Sequence, residues 1–416
     1  MKSRPKVGIL SLGCPRNIVD SEIILGRLNL KGYRIVDIAQ ADVAIVNTCA
    51  FIEDAKTESI DAILDLVELK KSGQLKKIIV YGCLSERYGE KLAKELPEVD
   101  AFVGRISLGG ADKGLLITPK HYAYLKVCES CINNCSYCII PKIKGKFQSL
   151  DISSLIRRTG QLDKNGVKEL NIIGQDITGY GIDLYKKFEL ARLVEKIAET
   201  ADNIRWIRLL YLNPQRIDKR LLGVIRDSPR ICKYIDVPLQ HINDRVLGLM
   251  NRGGSKEDIL ALIARIRKSI PDVAIRTSFI VGFPSETEKE FGELLEFIEE
   301  AKFERLGVFI YSREEGTKAY NFKKQVPLKL RRERFNLIME KQQEISRELN
   351  LRFLGRDIDV IIDQKQKDCY YGRTQYDAPE VDGMVYVKSN RKLAPGDIVR
   401  VKINDTMEYD LVGDLI

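Results

Sequence analysis

The sequence contains little histidine and no long apolar run. Only His121 and His241 occur among its 416 residues, which nearly excludes a zinc site built from histidines and a nucleophile activated by histidine. No apolar stretch is long enough to cross a bilayer. The first residues, MKSRPKVGIL, are basic but lack the apolar segment and cleavage site of a secretory signal. We therefore expect a cytoplasmic protein that does not bind a membrane.

Cysteine, by contrast, is plentiful. The nine cysteines are an odd number, and in a reducing compartment they are better explained as metal ligands or buried thiols than as disulfides. Three of them, Cys131, Cys135 and Cys138, have the spacing CxxxCxxC. A four-iron cluster takes four ligands, so three cysteines leave one iron open to a substrate or cofactor. The triad therefore predicts a catalytic iron–sulfur cluster.

Two other kinds of site also use closely spaced cysteines. With Cys128 the run becomes two CxxC pairs, but only three residues separate them, whereas structural zinc sites usually separate their pairs by about a dozen or more. Electron-carrying ferredoxins use closed four-cysteine sites in small proteins. Zinc and ferredoxin sites therefore fit poorly. Cys128, Cys232 and Cys369 follow no pattern, and we interpret them as buried or incidental thiols.

The first segment, which ends near Gly104, alternates strand-like and helix-like stretches and predicts a doubly wound parallel α/β sheet. Cys14, Cys49 and Cys83 directly follow the strand-like runs 7–12, 43–46 and 78–81. Because the carboxyl ends of parallel strands share one edge, the three thiols should meet there. Separate buried thiols are the alternative, but the shared position favours a second three-cysteine cluster site.

A connector over residues 106–121, with the pair Gly109-Gly110, predicts a domain boundary. Residues 122–350 then repeat strand and helix, which predicts a partial (β/α)6 barrel with strands near 124–127, 169–175, 205–212, 234–239, 274–281 and 305–311. The cysteine triad follows the first strand, at the face where barrels place their active sites. Polar residues recur at that level and predict a pocket: Gln175, Asp176, Gln240, His241 and Arg276.

The third segment, residues 351–416, has short alternating runs between turns and predicts a small antiparallel β-barrel of the oligonucleotide-binding type. Residues 350–416 contain 10 Lys and Arg against 12 Asp and Glu, a net charge of −2, although the whole chain carries +9. A barrel that gripped RNA phosphates would be basic. The acidic surplus therefore favours a basic protein as partner.

The motif CxxxCx(aromatic)C after the first strand of a six-unit barrel resembles that of the radical S-adenosylmethionine enzymes. The three-cysteine domain before it and the small barrel after it resemble their methylthiotransferase branch, and the resemblance covers essentially the whole chain. It implies a methylthiotransferase domain with an auxiliary cluster at 1–105, a linker at 106–121, a radical barrel at 122–350 and a TRAM-like substrate-binding barrel at 351–416. The chain departs from the family at Ser130, where glycine is usual, and at Lys144, where arginine is usual.

The resemblance also implies the cofactors and the residues that hold them. Two [4Fe-4S] clusters are implied, a radical-generating one on Cys131, Cys135 and Cys138 and an auxiliary one on Cys14, Cys49 and Cys83. S-adenosylmethionine would serve both as radical source and as methyl donor. Tyr137 would contact its adenine, and its methionyl or ribose parts would be held by Gln175, Gln240 and Arg276. An electron donor such as flavodoxin or ferredoxin is expected, and the sulfur source stays open.

Four motifs resemble the type of this branch that methylthiolates the β-carbon of an aspartate in the small-subunit ribosomal protein numbered twelve. They are SLGCPRN at 11–17, LYLNP at 210–214, YSREEGT at 311–317 and DAPEVDG at 377–383. The expected partner is that ribosomal protein or an assembling ribosomal subunit. Methylthiolation of a transfer RNA adenosine is the alternative within the branch. A non-catalytic iron–sulfur or zinc module on the ribosome is the alternative of another class.

Overall fold

The computed structural model describes residues 5–105, 114–367 and 369–416. Residues 106–113 of the predicted linker, including the Gly109-Gly110 pair, lie outside the described residues. Within the described ranges, no helix is long and apolar enough to span a membrane.

The N-terminal unit is a five-stranded sheet in which every pairing is parallel. Along the chain its elements are β1 (Lys6–Ser11), α1 (Pro15–Leu30), β2 (Arg34–Ile35), β3 (Val43–Thr48), α2 (Glu53–Lys71), β4 (Lys77–Gly82), α3 (Cys83–Glu95) and β5 (Ala101–Val103). The strand order is β2-β1-β3-β4-β5, so the order reverses between β1 and β3. Such a reversal opens a crevice at the carboxyl ends of the strands, where doubly wound folds bind ligands. The predicted doubly wound sheet is confirmed.

The central unit is a six-stranded partial barrel. Its elements are β6 (Tyr122–Lys126), β7 (Cys128–Glu129), α4 (Ile140–Lys144), β8 (Gln148–Ser149), α5 (Ile152–Lys164), β9 (Glu169–Ile173), α6 (Ile182–Tyr185), α7 (Leu190–Thr200), β10 (Trp206–Leu209), α8 (Lys219–Asp227), β11 (Tyr234–Asp236), α9 (Asp244–Met250), α10 (Lys256–Ser269), β12 (Ala274–Val281), α11 (Glu288–Ala301), β13 (Arg305–Ile310) and α12 (Leu328–Asn350).

Six of these strands form the wall of the barrel and run parallel to one another. They make two three-stranded sheets, β10-β9-β6 and β11-β12-β13, which meet at a parallel bridge between Ile207 and Ile231. The strands are almost wholly apolar towards the surrounding helices, and residues such as Leu170, Ile172 and Ile275 are fully buried there. Buried on both faces in this way, parallel strands read as near-continuous apolar runs. The predicted (β/α)6 barrel is confirmed.

The C-terminal unit is a closed barrel of five strands. They are β14 (Asp357–Gln366), β15 (Cys369–Arg373), β16 (Val385–Lys388), β17 (Ile398–Thr406) and β18 (Leu411–Leu415). Four pairings are antiparallel as predicted, but β16 and β18 pair in parallel. An odd number of strands cannot close with alternating directions throughout, so at least one parallel pair is required.

A loop of this small barrel closes one mouth of the central barrel. We call residues 377–383 the plug loop. Its Glu380 accepts a hydrogen bond from Tyr122 Oη at 2.9 Å, and its Asp382 accepts one from Tyr234 Oη at 2.7 Å. Tyr122 and Tyr234 are the first residues of β6 and β11, so the loop lies at the amino ends of the strands. The opposite, carboxyl-end mouth faces the N-terminal unit.

The plug loop contributes acidic residues to the contact between the small barrel and the central barrel. Asp377 pairs with Arg305, and Asp382 pairs with Arg276 at 3.2 Å, so both carboxylates are buried against arginines of the central barrel. Arg352 and Arg373 of the same segment pair with Glu304 and Glu169 of the central barrel, so the contact between domains uses charges of both signs. The net charge of −2 and the basic partner that it favours stay predictions.

Candidate functional site

The Cys131, Cys135 and Cys138 side chains lie half-buried in the loop between β7 and α4. The backbone N–H and the side-chain amide of Asn133 both point at Cys131 Sγ, at 3.4 and 3.3 Å. Arg252 Nη1 lies 3.9 Å from Cys135 Sγ. Donors of this kind stabilise the negative charge of thiolates. Burial raises the pKa of Cys138 to about 12, so a bound metal has to displace its proton.

The loop that carries this triad is fixed at both ends. The two-residue strands β7 and β8 flank the loop and pair with each other. Cys128 pairs with Ser149, and Glu129 pairs with Gln148. Ser130 has φ 64°, in the left-handed region, and its hydroxyl donates a hydrogen bond to the Gly145 carbonyl at 2.6 Å. A positive φ favours glycine, which explains the family's preference at this position. In this chain the hydroxyl contact offsets part of the strain.

Cys14, Cys49 and Cys83 come together at the carboxyl edge of the N-terminal sheet. They directly follow β1, β3 and β4, and these three strands are neighbours in the order of the sheet. Burial raises the pKa of Cys49, and the nearby Cys14 thiolate raises it further. Burial also opposes ionisation of Cys14, but Arg16 and the Asn17 backbone outweigh it and lower the Cys14 pKa. The predicted convergence of the three thiols is present.

Neither triad is arranged around a single ion. Across residues 5–105, 114–367 and 369–416, no group of three or more His, Cys, Asp or Glu side chains could hold one metal ion. Ligands of one zinc ion must all lie about 2.0–2.3 Å from it. The cysteines of a four-iron cluster each bind a different iron and therefore stand further apart. The donor set, which is thiols with nearby N–H donors, fits an iron–sulfur cluster.

Gly13 packs against Cys49 of the predicted auxiliary site. It has φ +83°, and a Cβ added there would lie 2.6 Å from Cys49 Cβ and 3.0 Å from Cys49 Sγ. Gly13→Ala is therefore expected to displace the Cys49 thiol, to cost about 1 kcal/mol of backbone strain and to lower the iron content of the reconstituted protein. Iron analysis checks this against Gly160→Ala, because none of the atoms that the structure describes lies within 4 Å of a Cβ at Gly160. Full iron retention in Gly13→Ala would contradict the assignment.

The two triads face each other across the junction of the N-terminal unit and the central barrel. Arg16, two residues after Cys14, donates a hydrogen bond from Nη1 to the Gly174 carbonyl at 2.8 Å. Its guanidinium also lies over the Tyr211 ring, 4.5 Å from the centroid. Gly174 follows β9 and Tyr211 follows β10, so both stand at the carboxyl-end mouth. The auxiliary site therefore opens onto the mouth that the first triad borders.

Four charged side chains, three of them buried, join the two units beside this mouth. Asp20 of α1 pairs with Lys126 and, at 3.2 Å, with Lys144. Glu129 pairs with the same two lysines, at 2.8 and 3.6 Å. Although burial opposes it, the two lysines lower the pKa of Glu129 to about 2. The Glu129 carboxylate is therefore charged, and the ion pairs hold α1 against the loop of the first triad.

A second contact explains the motif YSREEGT. Glu314 of this motif is buried, and it pairs with Arg87 at 2.9 Å and with Lys56 at 3.2 Å, both from the N-terminal unit. Ser312 donates its hydroxyl to Glu314 Oε1 at 2.7 Å and accepts the Glu53 N–H at 3.2 Å. The loop after β13 therefore docks the N-terminal unit. From the sequence alone, the motif indicated only a resemblance to the family.

The residues predicted to hold S-adenosylmethionine occupy different surroundings. Tyr137 packs against the apolar cluster that includes Phe283, and burial raises its pKa well above the usual value. Gln175 Nε2 lies 3.4 Å from Glu129 Oε1, and its own buried Oε1 has no hydrogen-bond partner within the described part of the chain. Gln240 has φ 75° after β11 and joins β12 through a parallel bridge to Phe279. All three predicted residues lie at the carboxyl-end mouth.

Arg276 differs from these three. Its guanidinium pairs with Asp236 and with Asp382 of the plug loop, both at 3.2 Å. Asp176 pairs with Arg216, and His241 is fully buried. Among the unassigned thiols, Cys128 and Cys232 are buried in the central barrel, whereas Cys369 is half-buried in β15. These side chains form ion pairs or are at least half-buried. The predicted role of Arg276 in holding S-adenosylmethionine stays a prediction.

Comparison with known proteins covers all three units. Residues 6–104 match UPF0004, described as an uncharacterized protein family, residues 125–298 match the radical SAM superfamily, and residues 354–416 match the TRAM domain. The ribosomal protein uS12 methylthiotransferase RimO of Clostridioides difficile (strain 630) is 47% identical over 439 residues, covering 99% of both chains. RimO of Thermoanaerobacter sp. (strain X514) is 48% identical over 435 residues, covering 98% of this chain and 99% of the relative.

The chain belongs to the RimO family. Solved structures with low identity to this RimO-family chain support its fold alone. The cobalamin-dependent S-adenosylmethionine radical enzyme OxsB gives a TM-score of 0.51 at 12% identity, covering 81% of this chain and 56% of OxsB. The radical S-adenosylmethionine methyltransferase TsrM from Kitasatospora setae gives a TM-score of 0.51 at 12% identity, covering 76% of this chain and 74% of TsrM. The RimO-family chain therefore spans little more than half of OxsB.

Proposed function

We propose that this protein methylthiolates the β-carbon of an aspartate in ribosomal protein uS12. The observation that carries the proposal is that two three-cysteine sites open onto the same mouth of the barrel, joined through Arg16, Gly174 and Tyr211. The near full-length similarity to RimO relatives supports the substrate. A radical step and a sulfur-transfer step need to act on one carbon atom, and a shared mouth allows both.

Each triad would hold one [4Fe-4S] cluster through three thiolates. Cys131, Cys135 and Cys138 would hold the radical-generating cluster, and the auxiliary cluster would be held by Cys14, Cys49 and Cys83. When bound, the first cluster and S-adenosylmethionine supply a radical that removes an unactivated hydrogen, and the auxiliary cluster supplies or carries sulfur. Tyr137, Gln175, Gln240 and Arg276 are the proposed contacts of S-adenosylmethionine. The match to the radical SAM superfamily supports an iron–sulfur cluster and S-adenosylmethionine in general.

The protein contributes positioning and charge. Arg252 and the amides of Asn133 would offset the negative charge of the first cluster. Lys126 and Lys144 pair with Asp20 and Glu129. These ion pairs would hold the N-terminal unit in a fixed position against the loop of the first triad. Such fixed charges need no reorganisation during the reaction.

We further propose the domain division 1–105, 106–121, 122–350 and 351–416, with the last barrel as a substrate-binding module. The plug loop already anchors one side of that barrel, so substrate would use its exposed side. A flavodoxin or ferredoxin would deliver the electrons. The cytoplasm, where ribosomal subunits assemble, is the proposed location.

Methylthiolation of transfer RNA adenosine is the competing activity, and one experiment separates the two. The reconstituted enzyme, a reductant and S-adenosylmethionine are incubated with purified uS12 and, in parallel, with unmodified transfer RNA. Mass spectrometry is expected to find a methylthio group on the uS12 aspartate and none on RNA. A methylthio adenosine with unmodified uS12 would overturn the proposal.

A further inference from the structure

Arg16 stands between the two cysteine sites. It lies in the first turn of α1, two residues after Cys14, and its Nη1 donates a hydrogen bond to the Gly174 carbonyl at 2.8 Å. Its Nε is buried and has no hydrogen-bond partner among the residues that the structure describes. A buried donor without a partner costs free energy, so such a group points to a ligand that completes it.

Arg16 also lacks a carboxylate partner. Among the described residues, no Asp or Glu forms an ion pair with Arg16, whereas Lys126 and Lys144 nearby share Asp20 and Glu129. The Cys14 side chain lies within hydrogen-bond reach of the guanidinium. A guanidinium that has no carboxylate beside it and whose buried Nε has no partner is suited to bind a carboxylate.

Tyr211 fixes the orientation of Arg16. The Tyr211 backbone has φ 67°, a strained value for a bulky residue. The Arg16 guanidinium stacks over the Tyr211 ring, with its Cζ 4.5 Å from the ring centroid. The strain is held in place because the Tyr211 N–H donates to Asp236 Oδ2 at 2.8 Å, and Asp236 is itself paired with Arg276. The fork is therefore held in one position at the mouth of the barrel.

We propose that Arg16 binds the side-chain carboxylate of the target aspartate. The inference rests on the proposed function, in which the β-carbon of an aspartate reacts. That carbon is bonded directly to the carboxylate carbon, so holding the carboxylate at Arg16 places the β-carbon between the two cysteine sites. The same contact excludes neutral groups, because asparagine or a nucleobase leaves the guanidinium without a counter-charge. Arg16 is thus a specificity-determining residue for an aspartyl substrate.

The test crosses two enzyme variants with two substrates. Wild type, Arg16→Gln and Arg16→Lys, all reconstituted with iron and sulfide, are assayed on uS12 carrying its target aspartate or asparagine in its place. Binding is measured by fluorescence anisotropy and methylthiolation by mass spectrometry. Wild type is expected to prefer aspartate in both readouts by about tenfold or more. Arg16→Gln should bind both forms equally, and Arg16→Lys, which keeps the charge without the fork, should retain part of the preference.

Controls distinguish binding of the substrate carboxylate by Arg16 from an effect of Arg16 on the clusters or on the binding of S-adenosylmethionine. Arg226→Gln removes an exposed arginine that pairs with the adjacent Asp227, and it should keep the wild-type preference. An unchanged aspartate preference in Arg16→Gln and Arg16→Lys would overturn the proposal, as would weaker binding of S-adenosylmethionine with that preference intact. If wild type binds uS12 with a preference for aspartate but modifies neither form, it is the proposed function that fails.

Discussion

Replacing Cys14 by alanine is expected to reduce methylthiolation of uS12 by a hundredfold or more while cleavage of S-adenosylmethionine continues. Cys14 is one of three thiols at the auxiliary site, and it is the one whose pKa is lowered, because Arg16 and the Asn17 backbone stabilise its thiolate against burial. Two remaining thiolates would not retain a four-iron cluster. The triad of Cys131, Cys135 and Cys138 lies in another domain and keeps its own ligands.

Three measurements on the Cys14→Ala protein check this expectation. Iron should fall by about half, deoxyadenosine should still form from S-adenosylmethionine, and methylthiolation of uS12 should fall by the factor given above. Cys369→Ala is the matched control, because Cys369 lies in β15 of the small barrel, far along the chain from both triads. Its iron content and its formation of deoxyadenosine should match those of wild type. Unchanged turnover to methylthiolated uS12 in Cys14→Ala would show that the auxiliary site is wrongly assigned.

Replacing Glu169 by alanine is expected to lower the free energy of unfolding by about 3–5 kcal/mol. Glu169 is fully buried at the start of β9 and pairs with Arg208 at 3.0 Å and with Arg373 of the small barrel at 2.7 Å. Both arginines are buried, so the alanine leaves two guanidinium groups without this carboxylate in a site that water does not reach. The loss should also loosen the small barrel from the central one.

Chemical denaturation followed by circular dichroism measures the first effect, and limited proteolysis between α12 and β14 measures the second. Glu195→Ala provides the control, because its ion pair with Arg220 at 2.8 Å is largely exposed and such pairs are worth about 0–1 kcal/mol. If Glu169→Ala is no less stable than Glu195→Ala, the buried pairs do not hold the domains together.

Much of the fold could be predicted because local patterns in the sequence indicate where its strands lie. The strands around 43–46, 78–81 and 274–281 are apolar runs bounded by turns, and they appear as β3, β4 and β12. β2 and β5, only two and three residues long, gave no pattern that could be detected. The parallel pairing of β16 with β18 follows from closure of a five-stranded barrel, which no single strand reveals.

The cysteine sites could be predicted, whereas the groups that connect them could not. Cys14, Cys49 and Cys83 are far apart in sequence, but each follows a strand of one parallel sheet, and that rule brings them together. Ion pairs have no such rule. Asp382 of the plug loop pairs with Arg276, which lies 106 residues earlier in the chain. Glu314 pairs with Arg87 over a sequence separation of 227 residues. Arg16 carried a sequence signal only as part of a motif, and its unpartnered Nε required the structure.

Metal analysis of the reconstituted wild-type protein tests the central claim, that two three-cysteine sites each hold a four-iron cluster. The protein is predicted to bind about eight iron atoms per chain, with the broad visible absorption of iron–sulfur clusters and no stoichiometric zinc. About four iron atoms would contradict the second site, and stoichiometric zinc without that absorption would contradict both.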